Sequence, residues 1–202
     1  MIKAVIFDVG GVLHTDEMKF VHRDIISTLG ITKKTFDESY KRLIPLIQEG
    51  KISEKQFWNL FLEDTNSKKH LLKKSLFIRE FIKRYKVNND VIKIVKSLRS
   101  QGYKLAVLSN TIKSHVEVNE KKGVYDGFSV RILSCEAALR KPDPKMFKLV
   151  LRKLRAKPEE TVFIDDKPEF VKAAKALGIN GLVFKSSEIL KNDLEALGLE
   201  VL

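Results

Sequence analysis

The sequence predicts an α/β protein in which helices cover both faces of a parallel sheet and a helical bundle interrupts the sheet early. Three observations carry that prediction. Ala4 to Phe7 is a short apolar run rich in β-branched residues, of the kind that forms a fully buried strand, and Asp8 ends it. From residue 16 to about 85 the apolar spacing is helical throughout. From Asn88 onward strands and helices alternate, which implies right-handed βαβ crossovers.

The elements follow in order. Gly10-Gly11 after the first strand allows a tight turn with amide N–H groups free to face an anion. Asp16 is placed to cap a helix running to Leu29, with Phe20, Ile25, Ile26 and Leu29 as its apolar stripe and Gly30 as its stop. Thr32 caps the next, which carries Phe36, Tyr40, Leu43, Ile44 and Ile47 and ends near Gly50. Ser53 with Gln56 forms a capping box for a helix bearing Phe57, Leu60 and Phe61. A fourth helix, 69–85, carries Leu72, Leu76, Ile78, Phe81 and Ile82. Four such helices bury a core of their own, and Trp58 and the phenylalanines are expected to fill it.

The second half reads as helix 89–101, strand 104–109, helix 113–122 and a strand near 130–133. A loop holding Lys141-Pro142-Asp143-Pro144 leads to helix 145–155, strand 161–165, helix 168–177, strand 181–184 and helix 187–197. The expected architecture is a three-layer, Rossmann-like core from residues 1–15 and 86–202, with a helical-bundle cap, 16–85, inserted between its first two strands. That insertion point puts the bundle over the sheet edge from which Asp8 emerges.

Composition narrows the class. The chain has 202 residues, 44% of them hydrophobic, which suits one domain with an insertion. No apolar run approaches the ~18 residues a membrane span needs, and the first residues do not read as a signal peptide. A single cysteine, Cys135, excludes an internal disulfide and reads as a small buried hydrophobe; it fits a reducing cytoplasm. The formal charge of +12 raises nucleic acid as a partner. The lysines are scattered, however, and pairs such as Lys33-Lys34, Lys68-Lys69 and Lys73-Lys74 read as solvated helix faces, so a small phosphorylated ligand explains the charge equally well. The oligomeric expectation is a monomer or a homodimer, the latter through exposed aromatics of the insert.

Three strands deliver polar groups to one edge: Asp8, then Ser109-Asn110, then Asp165-Asp166, with Lys141 arriving from its loop. Each alone has a plain structural explanation, such as a strand-end turn or the cap of helix 168–177. Together they suit phosphoryl transfer, which needs a nucleophile, cationic neutralisation and donors for the phosphoryl oxygens. Asp8 and Asp165 can share Mg²⁺, a hard cation usually held by one or two carboxylates.

These stretches resemble the four motifs of the haloacid dehalogenase-like hydrolase superfamily: Ile6-Phe7-Asp8-Val9-Gly10-Gly11-Val12-Leu13, Leu108-Ser109-Asn110-Thr111, Arg140-Lys141-Pro142-Asp143-Pro144 and Phe163-Ile164-Asp165-Asp166. The insert resembles a type-1 cap. Gly10-Gly11, Gly50-Lys51-Ile52-Ser53 before Phe57-Trp58, and His115 are similar to a narrower branch with glucose-1-phosphate phosphatase-like proteins and the N-terminal phosphatase domain of soluble epoxide hydrolases. The resemblance implies Asp8 as nucleophile and metal ligand, and Ser109, Asn110 and Lys141 as substrate-binding residues. It implies Asp165 and the Gly10 carbonyl as further Mg²⁺ ligands, with Asp166 reaching the metal through water or supporting its ligands.

Gly10 departs from the commoner pattern. Most phosphatases of the superfamily carry a second Asp there, which protonates the leaving group. General acid–base help is worth ~10²–10⁴ in rate, so its loss predicts slow turnover. His14 could stand in for it, though a turn histidine without special role is the plainer reading, and His115 reads as a capping or packing group. The leading expectation is a Mg²⁺-dependent phosphatase of a small phosphomonoester, with a sugar phosphate as the example. The alternatives are a metal-independent dehalogenase and a phosphate-binding or regulatory protein of reduced activity.

Overall fold

The computed structural model describes residues 1–15, 18–67 and 76–201. Asp16, Lys68, Lys69, Leu72, Lys73, Lys74 and the side chain of Leu76 lie outside the described residues, with the expectations attached to them. Five strands form one parallel sheet: β1 (Ala4–Phe7), β2 (Lys104–Ser109), β3 (Val130–Leu133), β4 (Thr161–Asp165) and β5 (Asn180–Val183). Their order is β3-β2-β1-β4-β5, so the chain reverses its direction of progress beside β1. Open α/β sheets bind ligands outside the carboxyl ends of their strands at such a reversal. Asp8 and Asp165 therefore emerge from neighbouring strands at that point, with Phe7 level with Ile164.

The insert contributes α1 (Met18–Leu29), α2 (Lys33–Gln48), α3 (Glu54–Asp64) and α4 (Leu76–Arg84). The remainder has α5 (Asn89–Ser100), α6 (Lys113–Lys121), α7 (Ser134–Ala137), α8 (Pro144–Leu154), α9 (Pro168–Lys175) and α10 (Ser187–Ala196). Alternation along each strand splits the core. Val5, Phe7, Leu105, Val107, Val162 and Ile164 pack with Val91, Val95, Val116 and Leu190 of α5, α6 and α10. Ala4, Ile6, Ala106, Leu108 and Phe163 pack on the other face with Met146, Phe147, Val150 and Phe170 of α8 and α9. The three-layer expectation holds. Element bounds differ from the sequence reading by one or two residues, apart from the short α7, the 3₁₀ turn Pro158–Glu160, and α4, whose described part begins at Leu76.

The four insert helices share a third cluster that includes Val21, Ile25, Phe36, Leu43, Phe57, Trp58, Phe61 and Phe77. Thr32 and Ser53 cap α2 and α3, and both halves of the Ser53–Gln56 capping box are made, at 2.8 and 3.2 Å. Three expectations change. The stripe of α1 is Val21-Ile25-Leu29, an i, i+4, i+8 row, while Phe20 sits half-buried beside Lys19 and Arg23 at 4.9 and 5.1 Å. Ile82 is exposed, and Phe77, absent from the predicted stripe, takes the buried position. No aromatic of the insert is exposed among the described residues, which removes the predicted aromatic dimer surface. No helix among them is long and apolar enough to cross a membrane.

The chain enters and leaves the insert along adjacent segments. Thr15 N donates to Lys86 O and Asn88 N to Leu13 O, both at 2.9 Å. At its far end the insert touches the core through Gly50. A Cβ there would lie 2.5 Å from the Cys135 carbonyl oxygen, and φ is +66°, so only glycine permits this approach.

Candidate active site

Asp8 leaves β1 into a turn closed by hydrogen bonds to Val9 O from Leu13 N (2.9 Å) and His14 N (3.2 Å). Gly11 has φ +83°, and a Cβ on it would meet the Asp166 carboxylate at 2.7 Å. The missing side chain is what lets that carboxylate approach the turn. Gly10 differs: a Cβ there would touch only His14 Cε1, at an ordinary 3.7 Å, so the position has room for a Cβ.

Lys141 lies at the centre, fully buried. Its Nζ is 2.8 Å from Asp8 Oδ1 and donates to Asp165 Oδ2 at 2.5 Å, with the Phe163 and Phe170 rings at 5.4 and 5.1 Å. Asn110 fixes the lysine's backbone from both sides: Asn110 Nδ2 donates to Lys141 O (2.9 Å), and Lys141 N donates to Asn110 Oδ1 (2.8 Å). Asn110, expected among the substrate-binding groups, thus has both ends of its amide engaged by Lys141.

Burial works against the Lys141 ammonium, but Asp8 and Asp165 outweigh it and raise its pKa. Asp165 fares worse. Burial and then the charge of Asp8 push its carboxyl up to about 7, against the pull of Lys141 and the Lys167 N–H. One cation shared between two anions explains both directions, since the pair carries a surplus negative charge. Asp8, Asp165 and Asp166 offer carboxylate oxygens that all lie within 4.8 Å of one another. A cluster of hard oxygen donors with surplus negative charge fits a divalent cation such as Mg²⁺.

Ser109, at the end of β2, is buried and lines the same cleft as Asp8, Gly10 and Lys141. The turn after it is pinned by Ser134, whose Oγ accepts from Thr111 N (2.9 Å) and donates to Thr111 O (3.1 Å). Ser134 was missed from sequence; a serine opening a short helix after an apolar strand carries no signal for this bond. Cys135 beside it is buried, with its thiol pKa raised by burial and by Glu136, so it stays a protonated packing group.

The cleft has a volume of about 250 Å³. Its far wall comes largely from the insert and was also not legible from sequence: Tyr40, Ile44, Phe77 and Phe81, joined by Ile112. His14 is buried, with Nδ1 2.9 Å from Thr15 O and its ring against Phe81 and Tyr85. His115 stacks on Phe81 with ring centroids 4.0 Å apart, and burial, aided by His14, pushes its pKa down to about 3. It is a neutral packing group, as expected.

The family model described as haloacid dehalogenase-like hydrolase matches residues 2–178. Among curated proteins, the phosphorylated carbohydrates phosphatase of Thermotoga maritima is 30% identical over 88% of this chain and 82% of its own length. Bifunctional epoxide hydrolase 2 of Sus scrofa is 23% identical over 96% of this chain. The chain spans only 38% of that relative's length. Among solved structures, a HAD family enzyme of Bacteroides thetaiotaomicron, in complex with magnesium and inorganic phosphate, superposes with a TM-score of 0.77 over 92% of this chain and 95% of its own. At 24% identity that likeness speaks for the fold alone.

Proposed function

The chain belongs to the haloacid dehalogenase-like hydrolases, and from that premise we propose that it is a Mg²⁺-dependent phosphatase of a small phosphomonoester, working through an aspartyl-phosphate on Asp8. The observation that carries this reading is the buried Lys141 ammonium held between the Asp8 and Asp165 carboxylates. A buried lysine with two acidic neighbours is expensive unless the cluster meets a ligand that uses its charges.

Asp8 is the nucleophile. Its carboxylate oxygen bonds to phosphorus as the ester P–O bond breaks, and water later releases phosphate and restores Asp8. Lys141 neutralises phosphoryl oxygens, Ser109 donates a hydrogen bond to one of them, and Asn110 acts by holding Lys141 in place. Asp8, Asp165, Asp166 and the Gly10 carbonyl are the proposed Mg²⁺ ligands. When bound, the ion offsets the repulsion between a carboxylate nucleophile and an anionic phosphate.

The helical segment 16–85 is proposed to act as a cap over the core formed by 1–15 and 86–202, pivoting on the paired segments at Leu13–Thr15 and Lys86–Asn88. The leaving alkoxide needs a proton, and Gly10 has no side chain to give one. That favours slow turnover and supports a second reading, a phosphate-binding or regulatory protein. A metal-independent dehalogenase is disfavoured by the Asp165–Asp166 pair, which such chemistry does not need. The names of relatives such as the Thermotoga phosphatase lend support to a sugar phosphate as substrate. A cytoplasmic location remains part of the proposal, resting on Cys135 as a single reduced thiol.

Phosphate release with Mg²⁺ and with chelator, measured beside Asp8→Asn, tests the reading. Activity that needs both the metal and Asp8 is expected; release that persists in Asp8→Asn would overturn it.

A further inference from the structure

We propose that the alcohol released by this site is uncharged and largely apolar, an aromatic ring or short alkyl chain carrying at most one polar group, in preference to a sugar. The inference rests on the phosphatase reading above and deepens it.

The two sides of the cleft differ in kind. Beside Asp8, Ser109 and Lys141 it is polar, while the opposite wall is Tyr40, Ile44, Phe77, Phe81 and Ile112. Phe77, Phe81 and Ile112 are buried. A sugar would bring several hydroxyls to that wall, and each one desolvated without a partner weakens binding by roughly 5- to 100-fold.

The polar side chains near the wall are largely committed elsewhere. Asn119 Oδ1 accepts from Tyr85 OH (2.7 Å), and its Nδ2 donates to Tyr125 OH (3.2 Å). Gln48 Oε1 accepts from Arg140 at 3.0 Å, and His14 Nδ1 is 2.9 Å from Thr15 O. His22 is packed between the Phe36 and Tyr40 rings at 4.9 and 4.4 Å. His115 also lines the cleft, and its buried Nε2 has no hydrogen-bond partner among the described residues. Buried polar atoms are nearly always paired, so this nitrogen marks one place for one polar group of a ligand.

Charge points the same way. Among the described residues lining the cleft, the lysines are Lys141 and Lys167, both from the core, and no arginine joins them. Among the described residues of the insert, no lysine or arginine lines the cleft to answer a second phosphate or a carboxylate. Size agrees as well. A dry cavity of ~150 Å³ holds benzene, so about 250 Å³ accommodates a phosphoryl group and a ring of that size.

The test is a homologous series on the wild-type protein with Mg²⁺: ethyl, propyl, butyl and pentyl phosphate, then benzyl phosphate, beside glyceraldehyde and glucose phosphates. These alcohols are all poor leaving groups, so differences report binding of the carbon skeleton. We expect kcat/KM to rise about fourfold for each added methylene until the chamber fills. Benzyl phosphate should exceed glucose phosphate by roughly tenfold or more. Half-buried Ile44 offers a second measurement: Ile44→Ser should flatten the series, raising KM more for the longer esters than for ethyl phosphate. A flat wild-type series, or preference for the sugar phosphates, overturns this inference while leaving the phosphatase reading intact. Absence of Asp8-dependent release from every ester overturns both.

Discussion

Two regions of this molecule bury a charged side chain, and they neutralise it in opposite ways. In the core, fully buried Lys141 lies between Asp8 and Asp165, one cation against two anions. In the insert, buried Glu80 accepts from Arg79 (2.7 Å), Lys83 (3.0 Å) and Arg84 (3.1 Å), one anion against three cations. Burial opposes charge in both places. For Glu80 the three donors outweigh burial and draw the carboxyl down to about 2, whereas burial and Asp8 drive Asp165 up to about 7. The lesson is that Glu80 is over-neutralised by long, partly exposed side chains and needs nothing more. The Lys141 cluster is under-neutralised, sits at strand ends and opens on a cleft, which is the arrangement the proposed Mg²⁺ would complete.

The sharpest way to break that contrast is Lys141→Met. It leaves two buried carboxylates facing each other, and removing one partner of a buried pair costs about 3–5 kcal/mol. We expect that loss in thermal or urea unfolding, together with a fall in phosphate release of at least ~10³-fold. Retention of activity would mean that Lys141 is structural like Glu80.

Metal binding gives the next effect. If the core cluster is short of positive charge, Mg²⁺ at a hundred times its Kd should stabilise the folded chain by about 2.7 kcal/mol. The shift in Tm should be larger above pH 7 than below it, because a proton on Asp165 competes with the metal as pH falls through its raised pKa of about 7. Asp165→Asn should remove most of the shift. A Mg²⁺ effect equal in wild type and variant would place the ion elsewhere.

The contrast also separates what was legible in sequence from what was not. Asp8, Ser109, Lys141 and Asp165 were legible because a parallel sheet brings strand ends together, and an apolar run followed by a polar residue marks a strand end. Asn110 was legible as a site residue, but its bonds to the Lys141 backbone were not, because they join segments 31 residues apart and have no local pattern. Ser134 was missed for the same reason, pairing with Thr111 at a separation of 23. In the insert, helical periodicity predicted a bundle but not which flank each helix turns inward. Val21 took the place predicted for its neighbour Phe20, since adjacent residues on a helix differ by only ~100°, and in α4 Phe77 is buried while Ile82 is exposed. The polarity of the cleft wall depends on that choice, so substrate class was the least legible feature of all.

Gly10→Asp sharpens the comparison from the core side. Gly10 does not have a positive φ, and an added Cβ would make only an ordinary contact with His14, so the substitution can be introduced without a clash at Cβ. If the missing acid limits the native rate, hydrolysis of alkyl phosphates should rise about 10- to 100-fold, and that of p-nitrophenyl phosphate, whose leaving group needs no proton, should barely change. Equal changes for both would locate the native proton donor elsewhere.

The smallest effect is expected where the charge is already answered. Glu80→Gln removes a carboxylate whose folded pKa lies below its ordinary 4.5. The stabilisation it gives is therefore complete above about pH 4.5 and is lost as pH falls toward 2. Because its three partners are 23–57% exposed, solvent screening limits the cost of the substitution at pH 7 to about 1–2 kcal/mol. The variant should lose the steep part of the acid unfolding curve between those pH values while keeping its kcat. Should kcat fall with stability, the insert's charge cluster would be coupled to the chemistry. The route would run from Arg84, which bonds Glu80 and Asp24 and whose carbonyl accepts from Thr15 in the segment leading out of the Asp8 turn. A purely structural Glu80 predicts no such coupling, because none of its partners Arg79, Lys83 and Arg84 lines the cleft.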